Sequence, residues 1–245
     1  MKSTRTSRAL SSHIGDNIQL FHELLNVDKN FDIVYRTMKI GGRQACFYFV
    51  DGFAKDAVLQ RIIQYMCDIS EDDFPKEAHE FSKKYLPYGE IGILRDTDAI
   101  VTQLLMGITC LFIDGYDACL TIDCRTYPAR SVSEPGKEKV LRGSRDGFVE
   151  TLIFNTAMIR RRIRDPKLTI EITQAGKSSR TDIAICYMDG RIDTDLLDRI
   201  RKRIENIRVD ALTMNQESLA ECIYPYKWYN PFPKFKYSER PNTAA

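Results

Sequence analysis

Apolar residues along this chain switch between two spacings, and the switches repeat. Ile14, Ile18, Phe21 and Leu25 recur at three- and four-residue steps, which predicts a helix over 14–25. "DIVYRTMKI" then alternates as a strand, Gly41-Gly42 supplies a hairpin turn, and "RQACFYFVDG" is a second, strongly apolar strand ending at Asp51-Gly52. Helical spacing returns over 55–66 through Val58, Ile62 and Ile63. The same order recurs further on. Residues 146–164 read as a helix, "KLTIEITQ" as a strand, "AGKSS" as a turn and "RTDIAICYMDG" as a strand ending at Asp189-Gly190. Residues 193–207 then form a helix through Leu196, Leu197, Ile200 and Ile204.

Helix, hairpin, Asp-Gly and helix therefore occur twice. The order predicts an α/β (α+β) fold of two similar mixed-sheet subdomains. Between them, "EDDFPKEAHEFSKKYL" reads as one helix, residues 98–106 as another, and "ITCLFIDGYDACLTIDC" as a hairpin closed at Asp114-Gly115. The join is "RTYPARSVSEPGKEK", with two prolines and a glycine in fifteen residues. This gives an N-terminal subdomain over 1–124, a linker over 125–139 and a second subdomain over 140–224. Residues 225–245, with four prolines and six aromatics, read as an extended or docked tail and not as a helix.

Composition narrows the picture. A chain of 245 residues, 43% hydrophobic and 29% charged, can bury a substantial core, and a net charge of +2 favours neither nucleic acid nor an acidic partner. Seven cysteines, an odd number without a CxxC pair, sit mostly in apolar runs and predict reduced core fillers in a reducing compartment. His13, His22 and His79 show no ligand spacing, so no metal is predicted. No apolar run reaches the ~20 residues of a membrane span, and residues 1–8 lack the apolar stretch of a signal peptide. A soluble, intracellular chain is expected, with "ERPNTAA" reading as a cut through a longer protein.

Catalytic constellations are weak. "AGKSS" matches the second half of a phosphate-binding loop, but the first glycine would have to stand at Glu171, and a strand follows where a helix is required. The turn reading is preferred. Ser131 and Ser133 have no nearby histidine, and the Asp-Gly pairs are simplest as turns. Strand C-termini of α/β folds also bind ligands, which makes Asp51 and Asp189 the ligand candidates. No catalytic residue and no cofactor is assigned.

The remaining signal is "RGSRDGFVETLIFNTAMIRRRIRD", with six arginines and no lysine. An anion site at its start, with Arg142 and Arg145, is opposed by Asp146 and Glu150 in the first predicted turn. On a helical projection Phe148, Leu152, Ile159 and Ile163 share one face. Arg160 and Arg164 border it, Arg161 points further round, and Arg162 lies near the opposite flank. Phe154 and Met158 form a second apolar patch, so the helix is expected to pack on two sides. Spread arginines with rigid forks suit ion pairs between domains or subunits better than a nucleic-acid stripe. Arg142, Arg145, Phe154, Met158, Arg160, Arg161 and Arg162 are therefore the interface candidates.

Glu134, Pro135, Glu138, Val140, Arg142, Gly143, Arg145, Gly147, Phe148, Glu150, Asn155 and the run Ile159 to Ile163 follow the pattern "EP…E.V.RG.R.GF.E....N...IRRRI". In this the chain resembles the GerA family of bacterial spore germination proteins. "SRTDIAICYMDG" resembles that family's next strand, and "NPFPKFKYSERP" its segment leading toward a membrane domain. The likeness extends over nearly the whole chain, loosely before residue 100. It implies a soluble N-terminal domain on the core side of the spore inner membrane, built of two α/β subdomains with a groove. It further implies a role in the assembly or gating of a multi-subunit complex of germination and ion release, and no enzymatic activity. The implied partners are other complex subunits and the chain's own membrane domain, with homo-oligomerisation as an option and nucleic acid excluded. The alternative is a module sensing a small molecule in the groove.

Overall fold

The computed structural model describes residues 8–86, 90–126, 147–210, 216–224 and 235–245. The first unit begins with α1 (Ile14–Leu25), whose Ile14, Phe21 and Leu25 are buried as the spacing predicts. A hairpin of β1 (Ile33–Ile40) and β2 (Arg43–Val50) follows, paired over all eight positions. Then come α2 (Asp56–Cys67), α3 (Ala78–Tyr85), β3 (Ile91–Leu94), α4 (Thr97–Leu105), β4 (Thr109–Ile113) and β5 (Cys119–Ile122). The strands form one antiparallel sheet in the order β1-β2-β4-β5-β3.

Both faces of this sheet are covered, which explains why β2 and β4 are apolar almost throughout. Ala45, Phe47, Leu111 and Ile113 point toward Leu59, Ile62 and Met66 of α2 and Phe81 of α3. The alternate residues Cys46, Tyr48, Cys110 and Phe112 point toward Phe21 and Leu25 of α1 and Ile100 and Leu104 of α4. Cys46, Cys110, Cys119 and Cys124 are buried here among the hydrophobic side chains. Burial pushes the Cys46 thiol up to about 12.

The second unit carries α5 (Leu152–Arg162), the hairpin of β6 (Leu168–Ala175) and β7 (Thr181–Met188), α6 (Thr194–Glu205) and α7 (Gln216–Ile223). Ala175, Ile183 and Ile185 pack against Ile200 and Ile204 of α6 and Ile223 of α7. A single helical turn, α8 (Pro241–Ala244), lies against α5.

The repeated order is reproduced in detail. The Asp51 N–H donates to the Asp32 carbonyl just before β1, and the Asp189 N–H to the Lys167 carbonyl just before β6, both at 2.8 Å. Gly52 and Gly190 follow at φ 78° and 73°. All strand pairing among the described residues is antiparallel.

Four expectations are corrected. Residues 71–86 are not one helix. A 3-10 turn at Glu71–Asp73 stops before Pro75, which supplies no N–H, and α3 starts afresh at Ala78. The helix expected from Asp146 starts at Leu152, because the Asn155 side chain takes both backbone groups of Val149. Its Oδ1 accepts from the Val149 N–H at 2.7 Å, and its Nδ2 donates to the Val149 carbonyl at 2.6 Å. The buried face of α5 is Thr156, Ala157 and Arg160, while Phe148, Leu152, Ile159 and Ile163 are only half-buried. The tail ends in the helical turn α8 where an extended course was expected, and β3 and α7 had no clear pattern. Most of the proposed linker over 125–139 lies outside the described residues.

Candidate functional site at the junction of the two units

The geometry centres on Arg160. Its side chain is 0% exposed and forms a two-pronged pair with Asp32, itself 1% exposed. Nε donates to one Asp32 carboxylate oxygen at 2.7 Å and a terminal nitrogen to the other at 2.9 Å. Two further donors reach the Leu168 carbonyl at 3.0 Å and Asn30 Oδ1 at 3.1 Å. Asn30 is also buried. Its Oδ1 accepts from the Ile170 N–H at 2.8 Å, and its Nδ2 donates to the Leu25 carbonyl at 2.7 Å. The Phe31 N–H donates to the Ile170 carbonyl at 3.1 Å.

Loop 30–32 of the first unit thus meets β6 of the second through one backbone hydrogen bond and the Asn30 side chain, with Arg160 fastening both. Burying charges is costly unless they are paired and hydrogen-bonded, and here each of the three guanidinium nitrogens donates at least one hydrogen bond. One turn earlier, Ala157 sits on the Gly52 turn beside Val50 and Phe53. A Cβ on Gly52 would stand 3.2 Å from that of Ala157 and 3.1 Å from Ile153 Cγ2. A side chain at this left-handed position would press on the helix, which would have to give way by a few tenths of an ångström.

The other candidates separate. Arg160 joins two segments of this chain that are far apart in sequence, through its pair with Asp32. Arg161 is exposed, and Arg162 is half-buried, hydrogen-bonded to the Asn242 side chain and to the Met158 carbonyl. Phe154 is 45% exposed with Ile153 beside it at 38%, and Met158 is half-buried, so the second apolar patch is present on α5. Arg142 and Arg145 lie outside the described residues.

Asp51 and Asp189 do not converge on one pocket. Asp189 lines a cleft of about 560 Å³ between the units, with Arg8, Glu23, Leu24, Thr97, Asp98, Pro166 and Lys167 among its walls. Asp51 is not on those walls. Its carboxyl accepts from the Gly52 N–H at 2.9 Å, and desolvation raises it above the usual carboxylate range despite that bond.

"AGKSS" is a hairpin turn. The N–H groups of Lys177, Ser178 and Ser179 all donate to the carbonyls of Val209 or Asp210, at 2.9–3.1 Å. The donors a phosphate would need are already engaged. Titration with Mg-ATP should therefore give no binding heat; micromolar binding abolished by Lys177→Ala would contradict this.

What sequence reasoning missed is the pair Asn30 and Asp32. The available signal was an arginine flanked on one helix face by the small residues Thr156 and Ala157, which leaves room for a buried guanidinium.

Comparison with known proteins gives the chain its relatives. A model of the "Bacillus/Clostridium GerA spore germination protein" family matches residues 19–245. This chain belongs to the GerA family. Stage V sporulation protein AF of Bacillus subtilis is 34% identical over 230 residues, covering 94% of this chain and 46% of that protein. Spore germination protein A1 of the same organism is 32% identical over 233 residues, covering 95% and 47%. This GerA chain thus spans just under half the length of those relatives.

Among solved structures, the N-terminal domain of the A subunit of the Bacillus megaterium spore germinant receptor GerK3 matches with a TM-score of 0.71 at 24% identity. The match covers 98% of this chain and 89% of that one, which establishes the shared fold. Among the described residues of this GerA chain, no helix is long and apolar enough to cross a membrane.

Proposed function

We propose that this chain is the N-terminal domain of a membrane-embedded spore germination protein, held on the core side of the spore inner membrane. There it serves the assembly or gating of a multi-subunit complex of germination and ion release, and it is not an enzyme. Its two units correspond to residues 1–124 and 140–224, and the segment from 225 leads toward a membrane domain. The observation that carries this reading is the outer face of α5. The helix that locks the two units together also presents Phe154 to solvent, with the partly exposed Ile153 at the edge of the Gly52 contact and Arg161 two turns along from Phe154 on the same side. Apolar side chains rimmed by arginine are the usual composition of a protein–protein contact. The names of the relatives, germination proteins and a germinant receptor subunit among them, point to the same setting.

The test is a variant that alters this face without touching the core. Phe154→Asp should leave the unfolding midpoint of the 245-residue chain within a degree or two, since exposed positions change stability little. In the full-length protein, the same change should prevent co-purification of partner subunits and slow germination. Normal assembly and germination of that variant would refute the proposal.

A second reading is favoured by the cleft that Asp189 lines: a small molecule bound between the units. A thermal-shift screen of nutrients and core anions separates the two. A ligand-dependent rise in midpoint that Asp189→Ala removes would favour sensing over assembly.

A further inference from the structure

We infer that α5 is a coupling element, tying the position of the C-terminal strap, residues 235–245, to the latch between the two units. This holds for the chain whatever it assembles with.

The strap lies along α5 in the same direction as the helix. Near its start the Phe148 N–H donates to the Glu239 carbonyl at 2.8 Å, and near its end the Arg162 guanidinium meets the Asn242 side chain. Pro241 between them is buried. On another flank the same helix rests Ala157 on Gly52 and sends Arg160 into Asn30 and Asp32. Arg160 and Arg162 are two residues apart, so they leave the helix about 200° apart around its axis.

An eleven-residue helix moves as one body, so a displacement of the strap that rocks α5 must also move the Arg160 guanidinium. A two-pronged ion pair shut away from water tolerates little change of angle before it opens. The junction therefore has two arrangements, latched and released, and the strap biases the choice. Coupling of this kind is reciprocal. Loosening the latch must loosen the strap.

Hydrogen exchange on the 245-residue chain reads both directions. The strap variant is Pro241→Ala with Asn242→Ala, two positions outside the hydrophobic clusters of both units. It should speed exchange of the Phe31 and Ile170 amides by about 5- to 150-fold, the range of typical coupling between sites. Exchange of the β4 amides should stay unchanged. Arg160→Lys should in turn speed exchange of the Phe148 amide. If the strap variant affects Phe148 while Phe31 and Ile170 keep their rates, no coupling exists. If β4 speeds up by the same factor as Phe31, the strap only stabilises the whole chain, and the inference fails equally. Should Arg160→Lys not fold, the strap variant decides alone.

Discussion

Arg160→Met should lower the unfolding free energy of this chain by about 3–5 kcal/mol, the cost of removing one partner from a buried ion pair. The loss is not the pair's attraction alone. Asp32 would keep a carboxylate 1% exposed to water with its two-pronged partner gone, and the Leu168 carbonyl would lose a donor. Asn30 Oδ1 would retain the Ile170 N–H, so its share is smaller. The effect belongs to the charge left behind, so a second change should reverse much of it. Arg160→Met combined with Asp32→Leu should recover a large part of the loss, because a buried pair replaced by apolar groups is often tolerated. Urea denaturation followed by circular dichroism measures all three variants. A cost for Arg160→Met below ~1 kcal/mol, as for an exposed arginine, would show that the latch does not hold the units.

That arginine also marks where sequence reasoning ran out. Helices and hairpins whose apolar residues face one covered side were legible: α1, β1, β2, α2, β6, β7 and α6 lie within two residues of their predicted bounds. Their periodicity is a local consequence of burial. The five-stranded sheet was not legible, since nothing in "RQACFYFV" says that its strand pairs with residues more than sixty positions away. Helix α5 misled for a related reason. Its hydrophobic residues are half-buried on several sides, and the face that is closed off holds a threonine, an alanine and an arginine. Arg160 was read as a border residue because its partners lie about 130 positions earlier, in a loop whose Asn30 and Asp32 look like ordinary turn residues. The premature helix start at Asp146 had a comparable origin, since no periodicity reveals that Asn155 binds the backbone of Val149.

The two Asp-Gly turns supply their own control for how tightly α5 is seated. Gly52 and Gly190 occupy equivalent places after β2 and β7, at φ 78° and 73°. Alanine at either position must adopt a left-handed backbone, which costs about 1–2 kcal/mol. The surroundings differ. At Gly190 a new Cβ would meet nothing within 4 Å, so Gly190→Ala should cost only that backbone strain. At Gly52 the Cβ would stand 3.1 Å from Ile153 Cγ2 and 3.2 Å from Ala157 Cβ. Overpacking of this kind typically adds ~1–3 kcal/mol, which brings Gly52→Ala to about 2–5 kcal/mol. The excess has a direction. Pushing Ala157 outward lifts α5 off the first unit and draws Arg160, one turn further on, away from Asp32. Gly52→Ala should therefore weaken the junction as well as the turn, and combined with Arg160→Met it should cost less than the two separate losses added together. Gly190→Ala combined with Arg160→Met should add in full. If Gly52→Ala and Gly190→Ala are equally mild, or both add fully to Arg160→Met, then α5 is not seated on the Gly52 turn and the latch stands without that support.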